Sequence, residues 1–422
     1  MTNDRWTNIA DVGARLGAYE TFSKTLIPPE QNNLQNVFTP YKLCEAIVAK
    51  LGESEKELKE RMFLCLNMEF VEALLHCGVP AEYIWFLTDC PHKAQWARKD
   101  AYAGTYSGVR ADKGLNVLLA NDMLEFMEQL RRTNVISFNI VIGNPPYQTK
   151  SDESFKKTQT IWEKFVVLCC ALTKEDGYTV LVHPAGWRNP EGHFEEASNS
   201  ICAKQIEYLE IHDVADGLKT FGAATRYDWY VRKNCEITKE TEIKGQNGSP
   251  ERLMLSDVPF IPNGEFEAVF SLLSKNDKIS FLWNCTYHTQ ARAKDGTISK
   301  KKIEEFKYPC IQNVNTQHVP SCVWYSNTNQ RGHFGIPKVI FGRKCSGIFF
   351  DATGEYGMCQ DCAGITGENL DKVCAAMKTQ KFIDLMKMCD VGGTGDRYPR
   401  KVIALLRRDF WREFVNEDGT EK

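Results

Sequence analysis

Asn144-Pro145-Pro146-Tyr147 is the stretch of this chain whose residue types and spacing could do chemistry. It follows the apolar run Phe138–Ile142 and Gly143. Neither proline has an N–H to give a neighbouring strand, so the ladder must stop and the chain must turn rigidly. The carboxyl end of a strand is where open α/β sheets bind ligands. The Asn144 side-chain oxygen is one acceptor there. The Pro145 carbonyl is a second, its direction fixed by Pro146. Two such acceptors suit an amino group on an aromatic ring. That nitrogen is a poor nucleophile because its lone pair is delocalised into the ring. Accepting both amino hydrogens draws the lone pair out of conjugation and favours the transition state over the ground state. Tyr147 offers a flat ring on which an extruded base can stack.

A rigid turn needs a sheet behind it. Short apolar runs recur at Met62–Leu66, Tyr83–Leu87, Asn116–Leu119, Phe138–Ile142, Tyr178–Val182, Ile206–Ile211 and Arg226–Val231. Helix-like stretches lie between most of them, among them Glu69–Cys77, Pro91–Tyr102, Met123–Arg131 and Thr160–Leu172. Strands alternating with helices predict an α/β domain with a mainly parallel sheet of seven strands. The pattern breaks in the turn-rich stretch Lys244–Pro250, which reads as a connector between domains. Three segments follow: a helical N-terminal segment over 1–54, the α/β domain over 55–240, and an α+β domain over 250–422. The last should end in two helices within Leu370–Cys389 and another over Lys401–Phe414.

A hydrophobic content of 43% and a charged content of 25% suit a globular protein, and the length of 422 residues exceeds one ordinary domain. The sequence contains no apolar run of the roughly 18 residues a membrane span needs, so the expectation is a cytoplasmic protein. The net charge of −3 does not advertise a nucleic-acid binder. Local patches hold phosphate, however, and two are visible: Lys300–Lys302, and Arg397, Arg400, Lys401, Arg407 and Arg408. The 16 cysteines, with no secretion signal before them, read as reduced thiols. Cys359 and Cys362 have C-x-x-C spacing, but no second pair completes a zinc site, so no metal is expected.

With these elements in order, the chain resembles the amino-group DNA methyltransferases. More narrowly, it is similar to the gamma-type adenine-specific enzymes of restriction-modification systems, the TaqI-like kind, whose catalytic motif is N-P-P-Y. The resemblance implies a Rossmann-like, seven-stranded, S-adenosylmethionine-dependent methyltransferase domain followed by a C-terminal α+β target-recognition domain. Phe38, Thr39 and Pro40, before the helix Tyr41–Leu51, resemble the family's early motif, a lid over the cofactor. Asp89 stands where the family holds the cofactor's ribose, and Asp122 stands beside the cofactor's adenine. Thr225–Tyr230 falls where a second aromatic meets the flipped base, either Trp229 or Tyr230.

One feature departs from the family. Its cofactor loop is glycine-rich, whereas Phe63–Phe70 here has no glycine. Either Asn67 and Glu69 bind the cofactor in a modified way, or binding is weak or lost and the chain is an inactive DNA-binding subunit. An RNA adenine or a protein glutamine amide also presents an amino group to such a motif. The resemblance favours double-stranded DNA. In the C-terminal part, Lys338 and Arg343 belong to a strand-like run ending in positive charge. Gly392–Tyr398 is a glycine-rich loop from which Arg397 and the following Arg400 could approach a DNA backbone. No nuclease acid cluster is evident, so a bacterial or phage-borne methyltransferase, orphan or paired with a separate restriction endonuclease, is expected.

Overall fold

The seven apolar runs become β1 (Phe63–Cys65), β2 (Ile84–Thr88), β3 (Asn116–Leu119), β4 (Phe138–Gly143), β5 (Thr173–Pro184), β6 (Gln205–His212) and β7 (Tyr227–Lys233). The computed structural model describes residues 38–51, 55–98, 114–148, 159–189, 194–246, 248, 250–284, 286–342, 347–392 and 399–422. Two compact units divide the chain, Met1–Ile261 and Pro262–Lys422.

The first unit is built on a nine-stranded sheet of order β3-β2-β1-β4-β5-β7-β6-β8-β9. Strands β1 to β5 pair in parallel, and β7 enters antiparallel between β5 and β6. This is a Rossmann-like, doubly wound arrangement. The last two strands, β8 (Thr241–Lys244) and β9 (Pro250–Leu253), form an antiparallel pair, and β8 docks in parallel on β6. The expected linker is therefore a hairpin turn, and the division falls at Ile261. Its Gly, Asn, Ser and Pro content marks a reversal of the chain without saying what the flanking residues pair with.

The helices α1 (Tyr41–Ala49), α2 (Met68–His76), α3 (Pro91–Arg98), α4 (Met123–Thr133), α5 (Trp162–Leu172), α6 (Glu195–Cys202) and α7 (Val214–Phe221) separate the strands. Local chemistry sets their ends. Asp122 caps α4 by accepting from Glu125 N at 3.0 Å, and Asn134 ends it in the left-handed conformation at φ 49°. Asp213 caps α7 likewise, and Gly222 closes it at φ 68°. All nine residues of α2 are buried. Its apolar residues join Cys44, Ile47 and Val48 of α1 and Phe63, Ile140, Ile142, Val180 and Val182 of the sheet in one core cluster. Such cover on the sheet is what near-continuous apolar strands demand.

The second unit is α+β, as the sequence predicts. One four-stranded sheet joins β10 (Ser280–Leu282), β17 (Cys362–Thr366), β14 (Lys338–Gly342) and β15 (Ile348–Asp351). The other joins β11 (Ile298–Ser299), β13 (Pro320–Ser326), β12 (Tyr308–Val314) and β16 (Gly357–Met358). Leu370–Lys378 and Gln380–Met388 are the two expected helices. The helix expected over Lys401–Phe414 is instead a short turn of helix, Arg400–Ile403, and a 3-10 turn, Phe410–Glu413. The backbone between them is taken by another segment: Leu405 O accepts from Ser274, Leu406 O accepts from Ile279, and Arg407 N donates to Leu272 O.

Candidate active site

The sheet order sets the carboxyl ends of β3, β2, β1 and β4 side by side. Asp122, Asp89, Asn67 and Asn144 follow those four strands in that order, so residues far apart in sequence line one edge. The chain winds from β1 out to β2 and β3, then returns to place β4 against the other side of β1, with Cys65 beside Ile142. A reversal of winding opens a crevice at the carboxyl ends, the usual ligand site of such sheets. Asn67 and Asn144 stand at that reversal.

Asn144 is 1% exposed, and three of its polar groups can be followed. Its backbone N–H donates to Asn67 Oδ1 at 2.5 Å. Its side-chain Nδ2 donates to Thr39 Oγ1 at 3.2 Å. Its Oδ1 is buried and meets no hydrogen-bond donor. A buried carboxamide oxygen left unpaired costs about 1–3 kcal/mol, so it is expected to have a partner in the working state. Gly143 permits the close approach of the two strand ends. A Cβ there would lie 2.7 Å from Leu66 Cβ and 3.0 Å from Asn67 Oδ1.

After Pro145 and Pro146, both buried, Tyr147 is half-buried. Its carbonyl accepts from Ile161 N at 3.0 Å, and Gln148 pairs with Thr160, so the turn is tied to the start of α5. Burial pushes the Tyr147 hydroxyl upward in pKa, the adjacent Asn144 amide acting the other way. The phenol therefore stays protonated at neutral pH.

Thr39 and Asn67, expected at the cofactor, are both turned to Asn144. Phe38 is half-buried against the core cluster, and the Pro40 carbonyl starts α1 by accepting from Leu43 N and Cys44 N. Glu69 is buried in the first turn of α2. Asp89 is half-buried just beyond β2. Asp122 is exposed, with one carboxylate oxygen spent on the helix cap. These carboxylates fit S-adenosylmethionine in chemical type: a sulfonium, an ammonium and ribose hydroxyls all seek anionic or accepting partners.

Trp229 and Tyr230, expected against a flipped base, are packed inside the unit at 2% and 0% exposure. Successive residues of β7 face opposite layers. Trp229 packs on Tyr208 in the core cluster. Tyr230 faces the other layer, 3.1 Å from His183 Nε2 and edge-on to Trp187. Neither ring offers a face to a base in this structure.

The structure also reveals a buried polar group that sequence reading overlooks. Arg188 and Asp228 form an ion pair at 2.7 Å with both side chains fully buried, and Trp187 Nε1 donates to the same carboxylate oxygen at 2.9 Å. Burial raises the Asp228 pKa while Arg188 lowers it. The one signal in the sequence is an aspartate set among the aromatic and apolar residues Tyr227–Val231. The thiols of Cys359 and Cys362 are buried, and among the described residues no cluster of His, Cys, Asp or Glu is placed to hold a metal.

Of the four residues expected at DNA, Lys338 is corrected outright. Its ammonium is 0% exposed and pairs with Asp351 Oδ2 at 2.7 Å. All five residues of β14 are buried, and Asp351 on the paired strand β15 lies opposite Lys338. Burial lowers the Lys338 pKa, and the Asp351 carboxylate opposes that. Arg400 is half-buried, stacked over the Trp283 ring at 4.5 Å, and donates to the Gln360 carbonyl. Arg343 and Arg397 lie outside the described residues. Among the described residues, no helix is long and apolar enough to cross a membrane.

Residues 101–221, which include Asp122 and the whole N-P-P-Y turn, match the family described as Eco57I restriction-modification methylase. No curated protein matches the sequence. Solved structures of similar fold include the type IIG restriction endonuclease BpuSI, at 11% identity and TM-score 0.45, covering 89% of this chain and 60% of that one. The type IIL restriction-modification enzyme MmeI in complex with DNA aligns at 10% identity and TM-score 0.46, over 97% of this chain and 68% of that one. The M protein of the type I restriction enzyme EcoKI aligns at 13% identity and TM-score 0.34, over 49% of this chain and 47% of that one. The chain thus spans 60% of the BpuSI structure and less than half of the EcoKI protein. These likenesses are too distant to carry activity. The sheet order and the crevice at its reversal define a Rossmann-like α/β domain, and residues 101–221 of it match a methylase family model.

Proposed function

We propose that this chain is a site-specific DNA adenine-N6 methyltransferase using S-adenosylmethionine. The observation that carries the reading is the buried, unpartnered Asn144 Oδ1 at the carboxyl end of β4. An acceptor held in place with nothing to accept is what an incoming amino group requires. When bound, S-adenosylmethionine supplies the methyl group. Asn144 Oδ1 accepts one hydrogen of the adenine amino group, and the Pro145 carbonyl accepts the other. The nitrogen lone pair would then leave conjugation and form the new N–C bond as the methyl–sulfonium bond breaks, with the neutral thioether as leaving group and one amino proton lost to solvent. Tyr147 carries the extruded base on its ring, and its high pKa keeps that surface uncharged. Glu69, Asp89 and Asp122 are the acids available to the cofactor, and the second unit is read as the DNA-recognition part. Extrusion costs a few kcal/mol, offset by stacking and backbone contacts.

The test is sequencing of modified bases in DNA from cells expressing the wild-type chain or Asn144→Ala. Methylated adenines in one sequence context, absent with the variant, support the reading. Unmodified DNA with a folded wild-type protein favours the methyltransferase-like DNA-binding chain, a reading the glycine-free loop keeps in play.

A further inference from the structure

We infer that Asn67 and Thr39 are positioning residues that set the geometry of Asn144, and that Asn67 has this task in place of cofactor binding. The inference rests on the reaction proposed above. Its first support is a local rule that is broken. Asn67 stands at the N-cap of α2, with φ −139° and ψ 145°, yet its side chain makes no cap hydrogen bond. Asparagine at that position ordinarily turns its oxygen back onto the N–H of the second or third helical residue. Here the oxygen is directed to the next strand instead, onto Asn144 N at 2.5 Å. A helix that gives up its cap forfeits stability. Departures of this kind concentrate where geometry serves a function.

The second support is Thr39, which approaches from a separate element 105 positions earlier in the chain. Its side chain is fully buried before α1, and its hydroxyl takes the Asn144 Nδ2 hydrogen. A carboxamide can rotate by half a turn and exchange its oxygen for its NH2. Turned that way it would present donors to an amino group, which is itself a donor. The Thr39 contact engages the NH2 end and leaves Oδ1 as the end without a partner. One contact fixes where the residue sits, and the other fixes which way its amide points. Gly143 makes room for the first, since a Cβ there would lie 3.0 Å from the Asn67 oxygen.

This division of labour explains how the site manages without a glycine loop between β1 and α2. The chain passes from Cys65 to the first residue of α2 through Leu66 and Asn67 alone. A linker that short puts the Asn67 side chain against the catalytic turn.

The experiment is steady-state methyl transfer from labelled S-adenosylmethionine to DNA by the full chain, with thermal melting of every protein. It compares wild type, Asn67→Ala, Asn67→Asp, Thr39→Val and Thr39→Ser. Loss of a positioning contact is expected to lower kcat by about tenfold to a hundredfold in Asn67→Ala and Thr39→Val. The KM for S-adenosylmethionine should stay within about twofold of wild type, since the lost interaction serves the transition state. Asn67→Asp and Thr39→Ser keep an acceptor in place and should recover most of the rate. A cofactor role for Asn67 would instead raise that KM with kcat held, and this outcome overturns the inference. So does an unchanged kcat in both disruptive variants. If a disruptive variant melts too low to assay, the conservative pair decides: a rate as low as that of Asn144→Ala in both overturns the inference. A folded wild type that transfers no methyl group refutes the reaction itself, and the positioning role with it.

Discussion

Replacing Gly143 by alanine tests the packing that brings the N-P-P-Y turn against β1. A Cβ at this position would lie 2.7 Å from Leu66 Cβ and 3.1 Å from Leu66 Cγ. Carbon atoms rest at about 3.5–4.0 Å, so the strand ends must separate by close to an ångström. Neither side yields easily. Leu66 is buried and its N–H is bonded to Ile142 O at 3.1 Å, directly beside the new methyl group. Overpacking of this kind costs about 1–3 kcal/mol. For a unit of this size each kcal/mol lowers Tm by about 2–4 °C, so the melt should fall by roughly 2–12 °C. The catalytic effect should be larger than the stability effect. The adjoining residue is Asn144, and a displacement of about 1 Å in a reacting group can cost 10²-fold in rate. Differential scanning calorimetry and methyl transfer at 20 °C, well below the lowered Tm, separate the two. A variant with wild-type Tm and wild-type kcat would refute the claim that this close approach sets the site.

Three further outcomes follow from the structure. His183 is buried and its pKa is pushed down to about 4, against about 6.5 unfolded, so the native state holds it neutral. Its contribution is complete above pH 6.5 and is lost as pH falls towards 4, about 3 kcal/mol in all; urea melts of His183→Gln should have a shallower acid slope over that window, and an unchanged slope would contradict the assignment. Lys338→Met strands the buried Asp351 carboxylate and should cost about 3–5 kcal/mol, partly recovered by adding Asp351→Asn; a single variant as stable as wild type in chemical denaturation would restore Lys338 as a surface candidate. Tyr147→Ala removes a stacking surface worth about 1–3 kcal/mol and should lower kcat/KM for DNA by about tenfold to a hundredfold, with Tyr147→Phe much less affected; equal losses in the two would point to the hydroxyl instead of the ring.

Much of the first unit was legible because its strands are short apolar runs set between amphipathic stretches, and the N-P-P-Y turn could sit only where a strand stops. Asp122 reads from the sequence as a cofactor residue, and the structure shows it capping α4. What the sequence hid was partnership across distance. Nothing in Phe38-Thr39-Pro40 announces a hydrogen bond to a residue 105 positions on. Lys338 looked like a surface charge because its buried partner is on another strand. Trp229 and Tyr230 were placed correctly on one strand, but alternation alone could not tell that both layers would be closed over them. The turn at 244–250 was recognised as a turn, and only the pairing of β8 with β6 shows that it lies within the sheet.

The most direct measurement of the central claim is nucleoside mass spectrometry of DNA incubated with the purified chain and S-adenosylmethionine carrying a deuterated methyl group. The account predicts N6-methyldeoxyadenosine carrying the deuterated methyl with the wild-type chain and none with Asn144→Ala. Label in cytosine, or in RNA or protein but not in DNA, would contradict it, as would a folded wild type that labels nothing.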